Sequence, residues 1–455
     1  MGSLARAADR IEPVSAAWSV AALRRPGRRV AAAGLAALLV LPLGLSDGGY
    51  FGRALVTMTV ALGAMAGLAL VVSPPRAVPR ALLVTALALL AFAAWVGLSS
   101  VWAEPGAAVG LETRRCVLYV AALLAVWLVV DRLGGPSFLL ALTGAVTILM
   151  VAGLGMRAIA GVPVDPYYGG LLAEPVGYPN AVGVLAAIAV VLAIGLATPF
   201  ARASRPLQAT ASVLILVLGL SGSRGGAIAL AAGLVVLVAL SARHDRWPCV
   251  GKAASALLVG GCAWVLIVAA GGAGAPLVIA AAGAATIGTA VPTPGRRGTL
   301  AILLGLTLAA VAVVAHDPPS TTSSYRTAYW RAALAEAGDH PLLGSGAGSF
   351  YLAWREHRTV AADVRDAHSL YVEVLSELGP VGLALIAVVV GVPLAAAVRR
   401  RGDPVAAAAA AGFVVFALHA GLDWDWEMPV VTLVALGCGG TVLAGIQPSD
   451  SRRRQ

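Results

Sequence analysis

Charge is what this chain has least of. Only 12% of its 455 residues are Asp, Glu, Lys or Arg, against about a quarter in a soluble globular protein. With 59% hydrophobic residues and a mean hydropathy of +0.88, that scarcity excludes a soluble fold and implies a polytopic membrane protein. Lysine is nearly missing: Lys252 stands alone among 32 basic residues, and the formal net charge of +10 rests on arginine. In a soluble chain such an excess would point to nucleic acid. Here most arginines fall in short loops on one side of the apolar runs, so the positive-inside rule accounts for them and no nucleic-acid partner is expected. Cysteine is scarce too. Cys116, Cys249, Cys262 and Cys438 show no CxxC or Cys/His ligand spacing, and none falls in the long polar interval 316–368, which argues against a disulfide holding it. An internal repeat with a period of about 20–50 residues is also absent.

What fills the chain is apolar. A bilayer span takes about 17–25 apolar residues, and fourteen intervals offer themselves, near 30–46, 54–73, 81–101, 116–130, 136–156, 181–199, 206–222, 226–241, 253–271, 276–291, 299–315, 380–398, 405–422 and 429–445. Several are short, so the expected fold is an all-α polytopic membrane bundle of about 14 transmembrane helices, in the range 12–14. Alanine, glycine, valine and leucine dominate the runs, and small residues let such helices approach closely. The first 29 residues are basic and precede an apolar run without a small-residue cleavage site, which reads as a cytoplasmic tail before a retained helix. With that tail inside, alternate loops collect 22 of the 32 basic residues on its side, and both termini are expected in the cytoplasm. The organisation that follows is a basic tail (1–29), eleven helices (30–315), an extracytoplasmic catalytic loop (316–379), three helices (380–445) and a second cytoplasmic tail (446–455).

The long polar interval 316–368 holds four of the six histidines: His316, His340, His357 and His368. On the expected topology ten arginines face outward, Arg53, Arg114, Arg115, Arg157, Arg224, Arg326, Arg331, Arg355, Arg358 and Arg365. They break the positive-inside pattern, and binding an anion is one reason to keep them there. Arg224 stands isolated in Ser-Gly-Ser-Arg-Gly-Gly at 221–226. Bare glycine N–H groups beside a guanidinium would suit a phosphate oxygen, and an arginine snorkelling at the interface is the plainer alternative. Residues 322–337 read as an interfacial helix with Ser323 or Ser324 as N-cap. Arg326 and Trp330 are four apart and share a face of it, either toward a ligand or as a surface cation–π pair. Gly344 and Gly346, in the run 340–348, could let backbone approach a sugar or diphosphate.

Asp366 can N-cap the helix that follows, which sets His368 in its first turn. The helix dipole there disfavours imidazolium and leaves a neutral base; a surface histidine is the bland alternative. Zinc is a third, but the histidine spacings of 24, 17 and 11 match no ligand pattern, and neither metal nor cofactor is expected. Asp423 and Asp425 form a DxD late in the chain, for which orienting an arginine or the acceptor, or anchoring by Trp424 and Trp426 at the interface, is preferred to metal binding.

Together these residues resemble the O-antigen ligase family and its relatives, the O-antigen polymerases. The family's signature is His, then Asn, Ser or Gln, nine residues, Gly, two residues, and Gly, Thr or Tyr; here it reads His368, Ser369, 370–378, Gly379, Pro380, Val381, Gly382. The His-Pro-Leu-Leu-Gly-Ser-Gly run at 340–346 and the Ser-Arg-Gly-Gly turn at 223–226 are similar to the family's as well. The resemblance covers about 160–445 and implies a bacterial inner-membrane glycosyltransferase. Its donor would be a polyprenyl-diphosphate-linked glycan and its acceptor a hydroxyl on a glycan, lipid or protein. It also implies His368 as catalytic base and Arg224 and Arg326 as diphosphate-binding residues; Trp330, Gly344, Gly346, Ser369, Asp423 and Asp425 are the further residues expected to bind substrate. A polymerase of the same superfamily is the nearest alternative. A flippase for lipid-linked glycans is the alternative of another class, disfavoured because transporters place charge at the bilayer midplane and these spans are nearly charge-free.

Overall fold

Each of the fourteen apolar intervals folds as a helix in the computed structural model, which describes residues 26–445 except 73, 74, 76, 164–166 and 317–324. In chain order they are α1 (Pro26–Gly44), α2 (Leu55–Val72), α3 (Arg80–Leu98), α4 (Val109–Leu133), α5 (Gly135–Ala160), α6 (Pro179–Ala197), α7 (Ala201–Ser221), α8 (Arg224–Leu240), α9 (Arg246–Ala269), α10 (Gly274–Ala290) and α11 (Arg296–His316). Two more, α12 (Arg326–Asp339) and α13 (Phe350–His357), belong to the polar interval, and α14 (Leu370–Arg399), α15 (Pro404–His419) and α16 (Pro429–Ala444) follow. No strand occurs among the described residues. Among the described residues, eight helices, α2 to α7, α9 and α14, are long and apolar enough to cross a membrane, and five others are apolar but shorter. The chain is a multi-pass membrane protein.

The bundle packs around α6, of whose apolar window 94% is buried. A helix apolar on every side belongs in the interior, and α15 and α16, equally apolar, lie against it. Small residues set the spacing: a Cβ on Gly195 would stand 2.6 Å from the Ala408 methyl, and one on Gly233 2.5 Å from Val415. Such close seams replace the hydrophobic driving force that a bilayer does not provide.

Two helices reach further than their apolar intervals and carry charge into the bundle. α4 begins at Val109 and takes in Glu112 and Arg115. Arg115 is 2% exposed and donates to Glu112 (2.5 Å) and the Tyr50 carbonyl (2.7 Å), so it is not free for an anion. Arg157 is likewise buried against the carbonyls of Gly170 and Gly272.

α14 begins at Leu370 and kinks at Gly379 (φ 64°, ψ −169°), just before Pro380. Proline brings no N–H, which opens the ladder, and neighbouring segments fill the gap. The Ser376 carbonyl accepts Ser345 N–H (3.0 Å), that of Glu377 accepts Gly346 N–H (2.8 Å), and that of Leu378 accepts Trp95 Nε1–H (3.0 Å). Only glycine fits the kink: a Cβ there would lie 2.4 Å from the Leu342 carbonyl oxygen. The first turns of α14 add side-chain anchors. The Glu377 carboxylate accepts the N–H groups of Gly348 and Phe350, both at 2.8 Å, and Glu373 accepts that of Ala367 at 2.6 Å. Above these anchors a second small core joins α12 to α13 through Tyr329, Ala333, Phe350, Trp354, Val364 and Ala367.

Candidate functional site

The Glu373 carboxylate accepts Ala367 N–H, which ties the chain ahead of α14 to its first turn. Ser369 takes the N-cap position, and His368 lies outside it with φ 55°. The first-turn placement expected from the sequence is therefore corrected. So is the cap: the Asp366 carboxylate accepts Tyr50 O–H (3.0 Å) instead of closing the helix. Left-handed backbone at a non-glycine residue costs roughly 1–2 kcal/mol, and such strain collects where geometry serves a site.

The turn presents the imidazole in one tautomer. His368 Nδ1 is 3.0 Å from the Asp366 carbonyl oxygen. A carbonyl can only accept, so Nδ1 carries the hydrogen in the neutral ring and Nε2 keeps its lone pair. Nε2 has no hydrogen-bond partner among the described residues. The ring stacks on Trp424, with centroids 5.2 Å apart and planes 10° from parallel, and Tyr329 lies 5.2 Å away at 48°. Trp330, expected to face a ligand, donates Nε1–H to the His368 carbonyl at 3.4 Å.

Arg326 opens α12, whose expected serine caps, Ser323 and Ser324, lie outside the described residues. Its Nη2 donates to Asp423 Oδ2 at 2.8 Å. Asp423 is fully buried and also accepts Tyr178 O–H (2.9 and 3.0 Å), Asn180 Nδ2–H (2.5 Å) and Trp424 N–H (3.0 Å). Burial, with the Asp423 carboxylate beside it, pushes the Tyr178 phenol well above its usual range. The side chain of Arg326 is 27% exposed, and its buried Nε has no partner.

Arg224 is the exposed first residue of α8, held by Ser223, whose Oγ accepts Gly226 N–H at 3.0 Å. It has no hydrogen bond or ion pair among the described residues. The turn packs on the end of α15, since a Cβ on Gly225 would be 3.0 Å from His419 Nε2. His419 Nδ1 in turn meets Asp425 Oδ2 at 2.6 Å, both residues buried. Burial raises the Asp425 carboxyl above its usual range, while His419 pulls it down.

Three consecutive residues thus reach three parts of the site: Asp423 holds Arg326, Trp424 backs His368, and Asp425 holds the histidine against the Arg224 turn. The DxD orients an arginine and a histidine. Gly344 and Gly346 sit differently from the expectation. Their missing side chains make room for protein, as a Cβ would lie 2.2 Å from the Glu377 backbone at the first and 2.3 Å from Ala103 at the second. Ser369 is 2% exposed and makes no side-chain cap bond. Beside Asp366 lies a cavity of about 90 Å³ lined by Tyr50, Glu112, Arg115, Tyr351 and Arg365 among others. Sequence reasoning missed Tyr178, Asn180, Glu373 and Glu377. Of these only the glutamates carried a signal, two carboxylates four apart at the mouth of an apolar run.

Residues 209–387 match the family model described as O-antigen ligase. Over that region the chain is similar to the O-antigen ligase family. That match takes in the greater part of α7, α8 to α13 and the kinked part of α14, and with them Arg224, Arg326 and His368. No curated protein matches the chain. The partners supplied by Asp423, Trp424 and Asp425 come from beyond the C-terminal limit of the match, so the segment 419–428 completes the candidate site from outside the matched region.

Proposed function

We propose that the protein transfers a glycan from a polyprenyl diphosphate carrier to an acceptor hydroxyl at the outer face of the bacterial inner membrane, with both termini in the cytoplasm. The observation that carries this reading is the His368 ring, whose Nδ1–H is taken by the Asp366 carbonyl and whose Nε2 is left unpartnered. His368 Nε2 accepts the acceptor's hydroxyl proton as that oxygen bonds to the sugar C1. The C1–O bond to the diphosphate breaks, and its electron pair stays on the phosphate oxygen. Arg224 and Arg326 neutralise the charge growing on that leaving group, so the chemical step needs no metal. A single displacement inverts C1. The exposed, unpaired guanidinium of Arg224 and the unpartnered Nε of Arg326 favour this use over plain surface charge. Ligase and polymerase share this chemistry, and the acceptor distinguishes them.

The test incubates purified protein with a lipid-diphosphate glycan and candidate acceptors and follows acceptor mass. Growth of one acceptor by the glycan mass, abolished in His368→Ala, is the expected result. Transbilayer movement of the donor without any change in mass would assign the protein to transport instead.

A further inference from the structure

We infer that the protein carries a divalent transition-metal site, suited to Zn²⁺, built from Glu336 and Asp339 at the end of α12 and His357 at the end of α13. His357 Nε2 stands 3.4 Å from Glu336 Oε2 and 3.5 Å from Asp339 Oδ2. Neither contact is made as a hydrogen bond. The separations match the edges of a tetrahedron: ligand atoms about 2.0–2.1 Å from a four-coordinate zinc lie roughly 3.3–3.4 Å from one another. One atom from each of the three residues falls within a single 4.8 Å group.

Two further observations point to a ligand at this place. His357 Nε2 is buried and without a hydrogen-bond partner. The Glu336 carboxylate, 7% exposed, faces only imidazoles: His357 on one oxygen, and His340 Nε2 at 3.6 Å from the other. No hydrogen bond reaches it among the described residues. Asp339, 64% exposed, leaves the fourth position open to water. Imidazole nitrogen with carboxylate oxygens suits zinc among the available divalent ions. The pattern is invisible as histidine spacing because two of the three ligands are acidic and the third arrives from another helix.

The site does not touch the reacting groups. Glu336 and Asp339 lie ten and thirteen residues along α12 from Arg326, or about 15–20 Å at 1.5 Å per residue. An ion there ties α12 to α13 and sets the angle at which α12 offers Arg326 and Trp330.

The test uses full-length protein in detergent, freed of any affinity tag, stripped with chelator and reloaded with Zn²⁺ or Co²⁺. The expected result is retention of about one Zn²⁺ per chain through gel filtration and a four-coordinate visible spectrum with Co²⁺. His357→Ala and the near-isosteric Glu336→Gln lose both, while His244→Ala, at an exposed histidine outside the cluster, keeps both. Absence of retained zinc and of the four-coordinate cobalt spectrum in the wild type overturns the site whatever the variants do. Retention in His357→Ala equal to wild type overturns this ligand set. Neither outcome bears on glycan transfer, which the mass assay reads separately.

Discussion

The imidazole of His368 and the indole of Trp424 lie face to face, 10° from parallel with centroids 5.2 Å apart, although 56 residues separate them in the chain. The stack fixes the plane of the ring, and the Asp366 carbonyl fixes its tautomer. In the proposed transfer, a ring so held needs little reorientation to act as the base toward a hydroxyl.

Removing the imidazole therefore removes a proton acceptor and little else. His368→Ala is expected to lower kcat by about 10²–10⁴ while leaving lipid-diphosphate binding nearly intact. Unchanged turnover in a purified assay rules out the base.

The stack is tested by its own pair of variants. An aromatic contact is worth about 0.5–1.5 kcal/mol, so Trp424→Ala should lower kcat about 2- to 10-fold and Trp424→Phe should restore most of the loss. Equal loss in both variants would tie Trp424 to something other than the ring plane.

For the arginines the discriminating change is to lysine, which keeps the charge and loses the planar fork. If Arg224 grips a diphosphate through two N–H groups, Arg224→Lys should behave much closer to Arg224→Ala than to wild type in donor KM and kcat. Full activity in Arg224→Lys reduces the residue to an interfacial charge.

Orientation is checked by labelling. In a background without native cysteines, Thr359→Cys should react with an impermeant thiol reagent in intact cells and Arg401→Cys should not. Both positions are exposed. Reaction at both reverses the proposed topology.

Burial raises the Glu427 carboxyl well above its ordinary range, with Asp366 and Glu112 adding to the rise and Arg115 opposing it. A carboxyl with a raised folded-state pKa contributes stability at low pH that is lost as pH climbs through the raised value. The melting temperature of the purified protein should fall as pH climbs from the ordinary carboxyl range to neutrality and above, and Glu427→Gln should flatten that fall. A wild-type melting temperature that rises over the same interval contradicts the assignment.

Apolar length alone made the fourteen helices legible, and the polarity contrast of 316–368 with the signature at His368 marked the site. The ends of α4 and α14 were not legible, because Glu112, Arg115, Glu373 and Glu377 interrupt hydropathy yet continue the helix once Tyr50, Gly348, Phe350 and Ala367 supply their partners. Arg326 could be found by its place in the polar interval, but its partner Asp423 lies 97 residues on. The first-turn placement of His368 failed for a related reason: the Asp366 carboxylate that would cap the helix is taken by Tyr50 O–H, 316 residues away in the chain.

The Gly379–Pro380 kink has a bearing on how acceptors can diverge. The segment after α12 docks on α14 through main-chain N–H groups of Ser345 and Gly346, and a main-chain bond is indifferent to which side chain its residue bears. Exposed positions such as Arg355, Arg358, Thr359 and Asp363 can therefore be exchanged wholesale without unseating the histidine. The joint is a socket, and the half of the signature that looks least chemical, its glycine, is what keeps that socket open to new specificities.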